Sequence, residues 1–109
     1  MRPIPRHLLQ HTAVLLAPVS EDTWQDTEYR ETTIDRVAVE PSGKWVTDNQ
    51  NRRVQLTAVL FFDCANSVPR GVAFKPGQKI RWNGAEYTIV TTEQMLVGKH
   101  PHHWEVGLE

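Results

Sequence analysis

The sequence predicts a mostly β chain, a small six-stranded antiparallel barrel or sandwich with two long loops. Three observations lead there. Asn83-Gly84 stands between two alternating runs, residues 54–62 pass from strict alternation into a stretch apolar on both faces, and residues 103–108 alternate Trp104, Val106 and Leu108 with His103, Glu105 and Gly107. A length of 109 residues holds one domain, residues 1–109, because a chain this short buries only roughly two-thirds of its unfolded surface.

The first segment, residues 7–16, fits neither period cleanly. Leu8, Leu9, Ala13, Val14, Leu15 and Leu16 are assigned to a strand because their neighbours are strands. Residues 32–39 are rich in β-branched side chains and stop at Pro41-Ser42-Gly43, which reads as a second strand. Residues 54–62 read as a central strand covered on each side, with the core centred there.

The hairpin around Asn83-Gly84 carries the clearest signal, since these two residues supply the positive φ angles of a type I′ turn. A two-residue loop pairs Trp82 with Ala85, Arg81 with Glu86 and Ile80 with Tyr87. Ile80, Trp82, Tyr87 and Ile89 then share the inner face, and Arg81 and Glu86 form an ion pair on the outer one. A slip of one residue would turn Trp82 and Tyr87 into water. The last strand, residues 103–108, is needed for folding. Residues 40–53 and 63–76 are the two long loops, rich in turn-forming types, and loops of that length tend to be functional.

Composition sets bounds on function. With 39% hydrophobic and 23% charged residues and four Trp, the chain has a globular profile. No apolar run approaches the ~20 residues that cross a bilayer, and Met1-Arg2-Pro3-Ile4-Pro5 lacks the apolar stretch of a signal peptide, so a soluble chain with no membrane partner is expected. Cys64 is the only cysteine, which forbids an internal disulfide and suits a reducing compartment.

A net charge of −1 disfavours a protein whose main work is neutralising a nucleic-acid backbone. Between residues 20 and 40, Glu21, Asp22, Asp26, Glu28, Glu31, Asp35 and Glu40 outnumber Arg30 and Arg36 by five, whereas residues 70–82 hold Arg70, Lys75, Lys79 and Arg81 and no acid. Such runs are either solvated faces or complementary surfaces that meet between copies. The second reading makes Glu21, Asp22, Asp26, Glu28 and Glu31 face Arg70, Lys75, Lys79 and Arg81 of a neighbour.

Catalytic and metal chemistry finds little support. His7 and His11 fall on one face of a strand, and His100, His102 and His103 cluster near the end. A zinc site wants Cys or carboxylate support, and adjacent His102 and His103 point to opposite faces of a strand, so no metal and no cofactor are assigned. Asp63 beside Cys64 disfavours the thiolate. The acidic residues cluster where nothing desolvates them into acid-base roles. No phosphate loop or nucleophile elbow is present, so no catalytic residue is named and the chain is read as not an enzyme.

Trp82 with Lys79 and Arg81 is the one candidate platform for single-stranded nucleic acid, on an oligonucleotide-binding small barrel. The hairpin register instead sets Trp82 opposite both bases and among core residues. Trp45 lies within a polar loop. Either that loop folds back on the domain or Trp45 anchors a partner.

Four stretches together carry a resemblance: Met1-Arg2-Pro3-Ile4-Pro5-Arg6-His7-Leu8-Leu9; Lys44-Trp45-Val46-Thr47-Asp48-Asn49-Gln50 leading into residues 55–64; Gly71-Val72-Ala73-Phe74-Lys75-Pro76-Gly77-Gln78-Lys79-Ile80; and His103-Trp104-Glu105-Val106-Gly107-Leu108. They resemble the minor capsid proteins encoded in phages and prophages of Gram-positive bacteria. More remotely, the length, strand order and Phe74-x-x-Gly77-x-x-Ile80 pattern are similar to head-closure, or stopper, proteins.

That resemblance implies a structural virion protein at the head-tail junction, present in the host cytoplasm during assembly. It implies a dodecameric ring in the virion; loops that order only on assembly would leave the isolated chain monomeric. Portal or adaptor and tail proteins would be its partners, with packaged double-stranded DNA in the channel. Residues 40–53 match in position the loop such proteins extend into the channel; Lys44, Trp45, Val46, Asp48, Arg52 and Arg53 would be its working residues. Lys44, Arg52 and Arg53 against Asp48 leave it at +2, and 14 residues folded back on themselves reach about 20 Å. A tail-completion or terminator protein of the same junction is the alternative.

Overall fold

Alternation carries the central strand, the Asn-Gly hairpin and the last strand into one sheet, which closes where the first strand of that hairpin pairs with the first strand of the chain. The structure, a computed structural model, describes residues 2–19 and 28–109. Within them a 3₁₀ turn, Arg6–Leu8, precedes β1 (His11–Pro18), β2 (Tyr29–Pro41), β3 (Trp45–Thr47), β4 (Arg53–Gln55), β5 (Ala58–Asp63), β6 (Lys79–Trp82), β7 (Ala85–Val97) and β8 (His100–Leu108). Six of these close a barrel in the order β1-β2-β5-β8-β7-β6, while β3 and β4 form a separate two-stranded sheet. All neighbours are antiparallel, and Leu15 opposite Ile80 seals β6 to β1. Closure leaves the barrel without a free edge to recruit stray strands.

The interior is filled by alternate residues of each strand. Leu15, Ile34, Val37, Leu60, Phe62, Ile80, Ile89, Val106 and Leu108 pack together, with Trp82, Tyr87 and Trp104 partly buried against them. Each such apolar side chain contributes about 1.5–3 kcal/mol on burial. Phe74, from the loop after β5, closes one end of this core. Its ring meets Phe62 edge-on at 5.5 Å and Trp104 at 5.6 Å between centroids.

The hairpin register stands residue for residue, with Trp82 opposite Ala85, Arg81 opposite Glu86 and Ile80 opposite Tyr87. Asn83 (φ 52°) and Gly84 (φ 81°) take the positive angles the turn demands. The expected Arg81–Glu86 ion pair is not made. Arg81 instead reaches across β1 to the Glu31 carboxylate on β2, because in a closed barrel β6 has a neighbour on its other side as well.

Other expectations need correction. The strand foreseen over residues 54–62 is broken at Leu56-Thr57, so that β4 leaves the barrel to pair with β3. His7 lies in the 3₁₀ turn and not on a strand with His11. The strand after Gly84 runs on to Val97, past the last apolar alternation. In β2, Arg36 (φ 57°) forms a bulge opposite the step from His11 to Thr12. Asp35 next to it hydrogen-bonds Val68 through both backbone groups, and that bridge holds the loop of residues 63–76 against the barrel.

Gly107 shows how tightly the outer face is packed. A Cβ there would overlap Thr91 Oγ1 and lie 3.0 and 3.1 Å from the two methyl carbons of Leu56. Gly107→Ala is therefore expected to cost about 1–3 kcal/mol in urea denaturation. An unchanged midpoint would show that Leu56 moves aside freely.

Candidate functional site

Residues 40–53 are no structureless loop. Trp45, Val46 and Thr47 pair with Gln55, Val54 and Arg53. The turn between them is built on Asp48, whose carboxylate accepts the N–H groups of Gln50 (2.9 Å) and Arg52 (2.8 Å) and the Arg52 guanidinium (3.1 Å). The Arg52 N–H, the largest influence, holds the Asp48 carboxyl below the usual carboxylate range with help from the Gln50 N–H and the Arg52 side chain, and burial, second in size, opposes them. Arg52 is thus tied to the turn. Trp45 remains 54% exposed with the Arg53 guanidinium 5.2 Å above its ring, a cation–π stack on the outside of the molecule. Lys44 and Val46 flank it.

The charged residues expected to face a neighbour fall on two sides of β1. Glu21, Asp22 and Asp26 lie outside the described residues. Glu28 precedes β2 and Glu31 is on it, whereas Lys79 and Arg81 are on β6 and Arg70 and Lys75 in the loop before it. The structure brings some of these together within one chain: Arg81 binds Glu31, and the Lys79 ammonium sits 5.4 Å above the Tyr29 ring. Both ion-pair partners are solvent-exposed, where such a bond is worth roughly 0–1 kcal/mol.

A third feature was not foreseen. β7 and β8 continue beyond the barrel as a two-stranded arm paired to Val97↔His100, with Gly98 (φ 62°) and Lys99 at its tip. Met95, Leu96 and Val97 on this arm are 40%, 56% and 36% exposed. A bulge leaves His102 unpaired between Met95↔His103 and Leu96↔Pro101. Consecutive side chains therefore turn to the same side, and the two imidazoles meet Nδ1 to Nδ1 at 2.7 Å, contrary to the opposite faces expected of a regular strand. His102 Nε2 donates to the Arg2 carbonyl at 2.6 Å, and His103 Nε2 lies 3.1 Å from Glu105. Among the described residues no group of three or more His, Cys, Asp and Glu is placed to hold a metal.

Asp63, read from sequence only as an anion beside Cys64, is a buried hub. It accepts the N–H groups of Ile4 (2.9 Å), Ala65 (3.1 Å) and Asn66 (2.8 Å), while Ser67 Oγ accepts the Asp63 N–H at 2.8 Å and donates to the Arg36 carbonyl. These bonds join the N-terminal segment, the loop after β5 and the β2 bulge. Burial first, and the neighbouring Asp63 second, push the Cys64 thiol up, which suppresses the nucleophilic thiolate.

The described strands close a barrel whose interior is filled by its own side chains, which leaves its outer surfaces for contact. The minor capsid protein family matches residues 5–108, so the chain belongs to that family and is a structural protein of a phage particle, assembled with other phage proteins. Among solved structures, the phage-like element PBSX protein xkdH from Bacillus subtilis is 16% identical, with 90% of each chain covered and a TM-score of 0.44. Comparison with curated proteins returns no match.

Proposed function

We propose that this minor capsid protein is a head-tail connector, a ring of copies at the neck that joins head to tail and lines the DNA channel with the β3–β4 hairpin. One observation carries the reading. The hairpin stands apart from the barrel sheet and holds Lys44, Arg53 and the exposed Trp45 on its surface. A positive, partly aromatic projection repeated around a ring suits close passage of a phosphate backbone. Copies pack side to side; of the charges expected at that contact, Glu31 and Arg81 are paired in cis and Lys79 sits over the Tyr29 ring, which leaves Glu28, Arg70 and Lys75 among the described ones.

Deleting the gene tests this. The expected result in electron micrographs of lysates is DNA-packaged or emptied heads and separate tails, with joining restored by the wild-type chain. Normal particles, or a failure to build heads at all, would oppose it. Overlong tails would instead favour a tail-completion role at the same junction.

A further inference from the structure

We propose that the β7–β8 arm of one copy docks into the groove between β3 and the outer β5–β8–β7 face of a second copy. This rests on the side-to-side packing proposed above and names the surfaces that perform it.

The arm is built for contact outside its own chain. Residues 93–97 are all exposed, and none belongs to the core cluster. Three consecutive apolar side chains on a ribbon project from both of its faces, so one solvated and one buried face cannot both be satisfied by folding back. Lys99 at the tip makes no ion pair among the described residues.

The groove offers the complement. It encloses about 340 Å³ among Lys44, Trp45 and Val46 of the hairpin side and Leu56, Val59, Glu93 and Glu105 of the barrel side. Glu93 and Glu105 are direct cross-strand partners, an arrangement in which like charges repel. His103 Nε2 lies 3.1 Å from the Glu105 carboxylate. No Lys or Arg nitrogen lies within 4.0 Å of either carboxylate among the described residues. A cation brought in from outside would relieve that repulsion, and Val46 and Val59, which line the groove, would cover apolar side chains beside it. Lys99 with Met95, Leu96 and Val97 presents that combination.

The two surfaces cannot meet within one chain. Glu93 is at the base of the same arm, and four strand residues with the first two of the turn set Lys99 up to about 20 Å beyond it. Arm and groove are different surfaces, so the contact is heterologous and repeats around a ring. An arm tip buries far less than the roughly 1,200 Å² of a stable interface, which keeps free chains monomeric until a neighbouring ring lines them up.

The test is a photo-crosslinking amino acid at position 96 in purified particles, with the adducts mapped by mass spectrometry. The expected adduct joins Leu96 to residues 44–59 of another copy. Lys99→Glu should lower its yield about fivefold, and adding Glu93→Lys should restore it, with the melting temperature of the free chain unchanged throughout. Adducts to a different protein, or no rescue by the double variant, would overturn the arm-in-groove contact. If copies crosslink through other positions but never through 96, the contact fails and side-to-side packing stands. If no position links copy to copy, both fall.

Discussion

Deleting residues 104–109 leaves a chain without a stable fold. β8 lies between β5 and β7, pairing Val106 with Leu60 and Thr92, and Leu108 with Ala58 and Ile89. The cut opens the barrel along two seams and removes Val106 and Leu108, both fully buried, with the Trp104 ring that packs on Phe74. Each lost core side chain costs about 1.5–3 kcal/mol, and the exposed edges of β5 and β7 lose their backbone partners as well. Against a total stability of about 5–15 kcal/mol, that loss is decisive. Circular dichroism should show no cooperative thermal transition. A truncated chain that melts cooperatively near the wild-type temperature would mean that β8 is peripheral.

Replacing Asp63 with Leu should destabilise the domain by about 3 kcal/mol or more. A side chain of similar size fills the space but accepts nothing, so the part-buried N–H groups of Ile4, Ala65 and Asn66 lose their acceptor together, at a cost of up to about 1–3 kcal/mol for each that water does not reach. Asp63→Asn keeps one carbonyl oxygen and should lose about half as much. Urea denaturation measures the difference, and faster amide exchange at Ile4 locates it. A Leu variant within about 1 kcal/mol of wild type would show that water or nearby groups take over the acceptor role.

β8 and Asp63 also mark what the amino-acid pattern reveals and what it hides. β5, β8 and the β6–β7 hairpin were legible because alternation and an Asn-Gly turn specify facing and register together, down to the Ile80–Tyr87 pairing. The Asp63 hub was not, since its donors come from Ile4 and from its own loop, and no local pattern announces that a carboxylate will be buried. Bulges at Arg36 and His102 escaped for a similar reason. Each depends on the partner strand having one residue fewer, which is a property of the pair and not of either segment.

The site was partly legible. Trp45 in a polar stretch leaves open whether the loop folds back or anchors a partner, and β3 is hidden because Trp45-Val46-Thr47 is too brief to show a period. Asp48, three residues past Trp45, was the available sign of a turn. The projecting arm was missed because Thr91-Thr92-Glu93-Gln94 interrupts the apolar alternation. β7 continues there through backbone pairing with β8 and not through burial. Arg81 was paired with its hairpin partner because the other neighbour, across β1, exists only once the barrel closes.

Cryo-electron microscopy of the assembled particle, reconstructed around the head-tail junction, bears most directly on the role proposed for this barrel. The expected density is a ring of six-stranded barrels between the portal assembly and the tail, with each β3–β4 hairpin turned toward the channel and each β7–β8 arm seated on the next copy. Density for this chain on the capsid lattice or along the outside of the tail would contradict it.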